Sequence, residues 1–500
     1  MSFPKSLFPL LISILFAGSC YKEQVIFDPR PNESLELPLI LAFNEKDCFF
    51  DEKSRSFTFS IPEDSVLNYA PLVQFQDYST ILIDERPLIN DAINHLGTVK
   101  TKKDYTLSIT TQDHTEYFTL RFTTLPIVRI VCRSNILNDP KLIARLTVNL
   151  PINNTDVVSS FVGIDYRGAS SILNPKKSYG FTFLDGMDTD NKVSKELLGW
   201  KENEDWILDA VYNDVAKFRN KLSFEIWKAM NPTEHVSIQS KFVELYLNNS
   251  FQGLYCLTEQ MNPEKLDLLD SDAILYKTVE WDPSTTFKSL SVSKPPAYTD
   301  LWEGWELKYP SSSSTVKWQP LYDLRDWVIN DSDQEFIDNV ATHVDLDNIV
   351  AYYLFINLIG AFDNHGKNMF WLKPSPNVPF SIVPWDLDSS WGRDWDRTSL
   401  LPVEVVIYHN IFFDRLLELN PDNFKHKLQD KWNYLRANAW TNHNIKTLVD
   451  EKFEELMRTD VIELDNARWG ETVDLDQEHI YIDSWMTDQF ILLDAYFNDL

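Results

Sequence analysis

The hydrophobic period changes along this 500-residue chain, and the order of the changes restricts it to an architecture with strands first and helices last. From about 25 to 127 apolar residues recur at every second position. Residues 54 to 61 alternate, as do Tyr105, Leu107 and Ile109; after the polar stretch Gln112-Asp113-His114-Thr115 the period resumes at Phe118, Leu120 and Phe122. Because strand side chains point to opposite faces in turn, this pattern predicts a hairpin, and the whole segment a small β-sandwich. From Ile127 strand and helix patterns mix, and from Asn410 onward amphipathic helices are expected, among them 448–457 and 484–497. The fold class is therefore α+β, divided as a β-sandwich module over 20–127 and a mixed domain with a helical C-terminal part over 128–500.

Bulk properties narrow the function classes. The apolar share is 44% with 13% aromatics and only 13 glycines, which excludes a disordered or glycine-repeat chain. Acidic residues number 75 against 46 basic ones, so a net charge of −29 repels phosphate backbones and makes nucleic acid an unfavourable partner. The same charge attracts divalent cations and keeps an exported protein soluble. At the N-terminus, Lys5 precedes an apolar run from Leu7 to Phe16 that closes with Ala17-Gly18-Ser19-Cys20, the layout of a signal peptide over 1–19. The run is too short to span a bilayer, for which about 20 residues are needed. Small residues before a cysteine resemble a lipobox, so Cys20 is the expected lipidation site and a lipid-anchored, extracytoplasmic place in the cell envelope is expected; a plain signal peptide with an incidental cysteine is the alternative. Cys48, Cys132 and Cys256 have neither zinc-site nor disulfide spacing and are expected as buried apolar residues.

Within the mixed domain, two strands flank Arg167-Gly168-Ala169-Ser170-Ser171 and Pro175-Lys176-Lys177. Asp214 is expected to cap a helix carrying Val215, Phe218, Leu222, Ile226 and Met230, and a hairpin follows over 243–257. The Ser-, Pro- and Trp-rich stretch 282–318 shows no sustained period and is expected as a long surface insertion. Asp345 caps a helix whose apolar face is Ile349, Tyr352, Tyr353, Ile356 and Ile359, stopped by Gly360.

Two short segments carry chemistry. Asp363-Asn364-His365-Gly366-Lys367-Asn368 follows that helix and has the Asp-x-x-x-x-Asn spacing of the protein-kinase catalytic loop, in which the Asp sits beside the acceptor hydroxyl and the Asn holds a metal ion. Asp386 and Asp388 lie two apart after the apolar strand 380–383; if the strand continues, both face one side, where their repulsion is relieved by a hard cation such as Mg²⁺ or Mn²⁺. A solvated turn is the plainer alternative. Gly366-Lys367 is not the end of a Walker loop, because Ala361 and Asn368 occupy its glycine and Ser/Thr positions.

Several further segments share one order. Arg167 to Ser171 with Lys176-Lys177-Ser178-Tyr179, Trp206-Ile207-Leu208 with Asp214 and Arg219-Asn220, and Glu244 to Asn248 with Gly253-Leu254-Tyr255 and Glu259 precede Asp363–Asn368 and 384–392. In this the chain resembles the CotH family of atypical kinases over about 130–500. The resemblance implies a much-divergent protein-kinase-like fold that uses ATP and Mg²⁺ or Mn²⁺ to phosphorylate Ser/Thr of an exported protein substrate. It implies Asp363 as catalytic residue, Asn368, Asp386 and Asp388 as metal ligands, and Lys177 as a nucleotide-phosphate contact oriented by Glu259. Arg167 and Arg219 either touch phosphates or brace the fold by bidentate pairing with buried acids, and bracing is the expected role. No glycine-rich phosphate loop is present. Two other readings remain: a non-catalytic surface lipoprotein that holds a glycan or protein partner with its β module and aromatic insertion, and a metal-dependent phosphoryl hydrolase that uses the same carboxylates with water as nucleophile.

Overall fold

In the computed structural model, alternating residues between 41 and 123 close two sheets onto one core. The structure describes residues 41–500 except 76–78, 112–113, 152–156, 234, 269, 289–293, 311–316 and 404–406; the expected signal peptide, Cys20 and the expected hairpin turn at Gln112-Asp113 lie outside the described residues. The first sheet has four strands in the order Lys46–Asp47, Leu41–Phe43, Leu72–Phe75, Ala92–Ile93. The second has six, in the order Phe49–Asp51, Ser56–Ser60, His114–Thr123, Tyr105–Thr111, Ser79–Ile83, Arg86–Pro87. The expected hairpin pairs Leu107 with Phe118, and Phe43, Phe59, Val73, Ile81, Leu107 and Leu120 fill the space between the sheets.

Buried polar contacts join this module to the mixed domain. The Tyr246 hydroxyl donates to Thr58 Oγ1 at 2.7 Å, and Arg121 Nη2 donates to Glu244 Oε2 at 3.1 Å with Asp460 at 3.6 Å. Phe49 stacks on Tyr246 with ring centres 5.9 Å apart.

Seven strands then close a barrel in the order Ile127–Val131, Leu142–Asn149, Val157–Arg167, Ser178–Leu184, Asp205–Asp209, Ser250–Glu259, Ser240–Leu247, with the last strand returning parallel to the first. Period two explains both faces. Val162, Ile164, Phe181, Phe183, Trp206 and Leu208 fill the interior, while Ile207, Phe242 and Cys256 point outward into the main core. The three described cysteines are free and buried, as their spacing implies.

A second sheet of five strands, ordered Leu301–Trp302, Trp305–Tyr309, Ile274–Thr278, Met369–Lys373, Ser381–Pro384, faces the barrel. Here the 282–318 segment departs from expectation. Its tryptophans are not at the surface: Trp302, Trp305 and Trp318 are buried, two of the sheet's strands come from this stretch, and Trp318 stacks on Tyr276 at 5.4 Å. Burying three indoles outweighs the local Ser/Pro composition.

The Leu346–Ile359 helix forms as the sequence requires, with Asp345 accepting from the amides of Asp347 and Asn348 and Gly360 at φ 65° ending it. It is wrapped by core on all sides from Ile349 onward rather than along one face. The Arg219–Met230 helix begins later than expected. Asp214 lies five residues before it and accepts from the Arg219 amide at 2.6 Å across a turn. Helices Ile411–Leu419, Phe424–Ala437, Asn442–Met457, Val461–Trp469 and Leu475–Asn498 complete the mixed α+β chain.

Candidate active-site cleft

Between the barrel and the five-stranded sheet lies a cleft of about 840 Å³. Its wall combines Arg167, Ser178 and Asp209 from barrel strands with Lys277 and Glu306 from the sheet, and Asp363, Asn368, Asp386 and Asp388 lie on the side that follows the buried helix.

The turn after Gly360 sets the first segment. Residues Phe362–His365 form a single 3₁₀ turn, and the Asp363 carbonyl accepts from the amides of Gly366 and Lys367. Asp363 is buried, and its carboxylate accepts a hydrogen bond from Trp281 Nε1–H at 2.9 Å. Burial pushes its pKa above the usual range, opposed by that hydrogen bond and by Lys367. Asn368 adopts φ 56°, a conformation asparagine tolerates, and donates its amide to the Thr278 carbonyl at 3.0 Å.

The second segment departs from a continued strand. Pairing ends at Pro384, and Asp386 sits at φ 56°, so the two carboxylates do not alternate on one strand; both still line the cleft. One side chain ties the segments together. Asn364, fully buried, donates from Nδ2 to the carbonyls of Asn368 at 3.0 Å and Trp385 at 2.8 Å, and its main-chain carbonyl accepts from the Tyr352 hydroxyl at 2.6 Å. Asn220 Oδ1 accepts from the Leu387 amide at 3.1 Å and holds the 386–388 turn from the Arg219–Met230 helix.

Burial and mutual repulsion both act on the carboxylates here. Asp388 is held well above the usual carboxylate range by burial and then by Asp386, Asp209, Asp214 and Asp363. Asp209 is likewise raised by burial. Among the described residues no three His, Cys, Asp or Glu side chains form a ready metal cage. Two carboxylates and an amide crowded by further acids nevertheless suit a hard divalent cation, which would relieve their repulsion and accept oxygen ligands.

Of the basic side chains in the cleft wall, Arg167 and Lys277 lie beside Trp385. The Arg167 guanidinium lies 5.5 Å from the centre of the Trp385 ring, and Lys277 Nζ lies 5.9 Å from it. Burial lowers the pKa of both, to about 8 for Lys277, while Asp386 opposes the shift. Glu306 stands opposite Lys277 in the strand pairing. Arg167 therefore faces the cleft instead of bracing the fold by a close ion pair. Arg219 does brace: it binds Asp214 and Glu478, each at 2.8 Å, with its side chain fully buried.

Two expected nucleotide contacts are placed elsewhere. Lys177 Nζ donates to the carbonyls of Ile172 and Asn174, both at 2.6 Å, so it closes its own loop and does not line the cleft. Its neighbour Lys176 is buried against Asp465 at 2.6 Å. Glu259 pairs with Lys265 and accepts from the Gln239 amide at 2.8 Å, and it too is absent from the cleft wall. Lys277, which lines the cleft together with Lys176 and Lys367, had a legible signal: a lone cation inside the apolar run Ile274-Leu275-Tyr276-Lys277-Thr278. Asp209, Glu306, Asn364 and Trp281 had no comparable local signal.

Comparison with known proteins gives a family and one curated relative. A family profile described as CotH kinase protein matches residues 164–489. The inner spore coat protein H of Bacillus subtilis (strain 168) is 26% identical over 237 residues, which is 47% of this chain and 59% of the relative, so the chain spans somewhat over half of that protein's length. Two solved structures, the open conformation of CtTel1 and the complete CtTel1 dimer with C2 symmetry, align over 70% of this chain and 12% of theirs, at 12% and 13% identity and TM-scores of 0.29 and 0.28. Similarity at that level defines no fold.

Proposed function

Because the chain belongs to the CotH kinase protein family, matched over residues 164–489, we propose that it is an atypical kinase that transfers the γ-phosphoryl group of ATP to Ser/Thr of an exported protein. In this reading the barrel and the five-stranded sheet flank the nucleotide as the two halves of a divergent kinase-like fold. The observation that carries it is the meeting of Asp363 and Asn368 with Asp386 and Asp388 in one cleft whose wall also carries Arg167, Lys176, Lys277 and Lys367.

The roles follow from the chemistry of each group. Asp363 accepts the proton of the acceptor hydroxyl; its raised pKa makes it a better base than an exposed aspartate. Asn368, Asp386 and Asp388 hold Mg²⁺ or Mn²⁺, which supplies charge neutralisation between the phosphates when bound. Arg167 and Lys277 contact phosphate oxygens, and Lys277 takes the part that the sequence pattern assigns to Lys177; Glu306, opposite it, pairs with Lys308 at 2.9 Å. The decisive experiment incubates the protein from Tyr21 onward with γ-labelled ATP and Mg²⁺ or Mn²⁺, following labelled protein and free phosphate together. Phosphate released without labelled protein would favour a hydrolase, and binding with neither product a surface-binding role.

Lysine substitutions separate the two assignments. Lys277→Ala should raise the ATP needed for half-maximal rate by on the order of tenfold, the size of one charged hydrogen bond. Lys177→Ala should leave it near wild type. The reverse order in steady-state kinetics would return the phosphate contact to Lys177.

We further propose that Cys20 anchors the chain by lipid at the cell envelope. Among the described residues no helix is long and apolar enough to cross a membrane. Cys20→Ser should therefore shift the protein from the membrane fraction to the soluble one. Unchanged partitioning of that variant would remove the anchor.

A further inference from the structure

Trp281 is the feature of the cleft that the kinase reading leaves unused. It follows the Ile274–Thr278 strand and is 41% exposed, yet its indole Nε1–H reaches in to the buried carboxylate of Asp363, donating to Oδ1 at 2.9 Å. Among the described residues Oδ2 of that carboxylate has no hydrogen bond. A carboxylate pinned through one oxygen presents the other in a fixed direction. The clasp is built from both sides. After Trp281 the chain folds into a turn in which the Ser284 amide donates to Asp282 Oδ1 at 2.8 Å and the Thr285 amide to the Asp282 carbonyl at 3.1 Å. Below the indole, the 362–366 turn is anchored by Asn410 Nδ2 donating to the His365 carbonyl at 2.7 Å.

Gly366 makes the approach possible. Its backbone is at φ −152°, so conformation does not demand glycine. Space does: a Cβ there would lie 2.4 Å and 2.7 Å from two carbons of the Trp281 ring. The ring also meets His365 edge-on at 4.8 Å and Phe362 at 5.5 Å.

We propose that Trp281 is a positioning residue that fixes the Asp363 carboxylate with Oδ2 toward the acceptor hydroxyl, and that Gly366 is retained to let the indole lie against this turn. The proposal rests on the kinase reading for its consequence on rate, while the contact itself is testable without turnover. The charged groups that face Asp363 are Lys367, Asp386, Asp388 and Asp394, and none of them replaces a neutral donor held at one oxygen.

Trp281→Phe keeps an aromatic ring and loses the donor. It should lower kcat by between about 10- and 100-fold, as for a misaimed catalytic group, with KM for ATP unchanged. The acid limb of the kcat profile should move to higher pH, because the lost hydrogen bond favoured the carboxylate. Gly366→Ala retains the indole but displaces it, and should reproduce both changes even where Trp281→Phe folds poorly. A kcat and acid limb equal to wild type in both variants would overturn the proposal while leaving the kinase reading intact. If the wild type transfers no phosphate, the indole Nε1–H resonance of Trp281, assigned by its loss in Trp281→Phe, still reports. It should shift with pH in the wild type and lose that dependence in Asp363→Asn; a resonance insensitive to pH would overturn the proposal.

Discussion

Replacing Asp363 with asparagine should cut phosphoryl transfer by about 10²-fold or more while nucleotide binding survives. Asparagine keeps the size of the side chain and an oxygen that can accept from Trp281, so the 362–365 turn has no reason to move. What disappears is the charged proton acceptor. Asp388→Asn should fail in another way, because the neutral amide weakens the hold on the cation, and binding and transfer should fall together. The two are distinguished by measuring transfer from γ-labelled ATP beside the rise in melting temperature that ATP produces with Mg²⁺ or Mn²⁺. The carboxylate crowding around Asp388 also implies that ATP alone, in excess chelator, should stabilise the protein little. Transfer at wild-type rates in both variants would end the assignment of these residues.

Arg219→Ala should destabilise the protein by about 3–5 kcal/mol, the usual result of removing one partner from a buried ionic cluster. The guanidinium is enclosed between Asp214 and Glu478, so truncation leaves carboxylates that must be protonated or hydrated inside the core. Relief is only partial: Asp214 still accepts from the amides of Ala216 and Arg219, and Glu478 keeps Arg393. The effect should reach the cleft as well, because Asn220, the next residue, holds the Leu387 amide. Urea unfolding measures the first effect and the metal requirement for ATP binding the second. A loss below about 1 kcal/mol would mean that the cluster contributes little to folding.

Local rules and long-range pairing divide what could be read in advance. The 105–123 hairpin and the Leu346–Ile359 helix depend on period, an N-cap and a C-terminal glycine, all within a few residues, and both were legible. The position of each acidic segment directly after a buried element was legible too, but the expected continuation of the strand through Asp386 was not met. What joins them, the buried amide of Asn364, spans 21 residues to Trp385 and looks like any loop asparagine in the sequence. The lysine assignment shows the same limit. Lys177 stands in a basic loop, but the direction of its backbone brings its ammonium onto nearby carbonyls, whereas Lys277 reaches the cleft only because strand pairing sets Ile274–Thr278 between Trp305–Tyr309 and Met369–Lys373. For 282–318, Ser and Pro content pointed outward, and the indoles decided otherwise.

The closed barrel has a consequence for anyone isolating the family-matched part. The family match begins at residue 164, inside the Val157–Arg167 strand, and ends at 489, inside the Leu475–Asn498 helix. A fragment cut at those limits would lose the Ile127–Val131 and Leu142–Asn149 strands and most of the third. The ring would become an open sheet with Ser178–Leu184 and Ser240–Leu247 near its two free edges, and Phe181, Phe183, Val243 and Leu245 would face water. Unpaired edges beside exposed apolar rows recruit other chains, so such a fragment should collect in aggregates, and the smallest soluble fragment should reach back at least to Ile127.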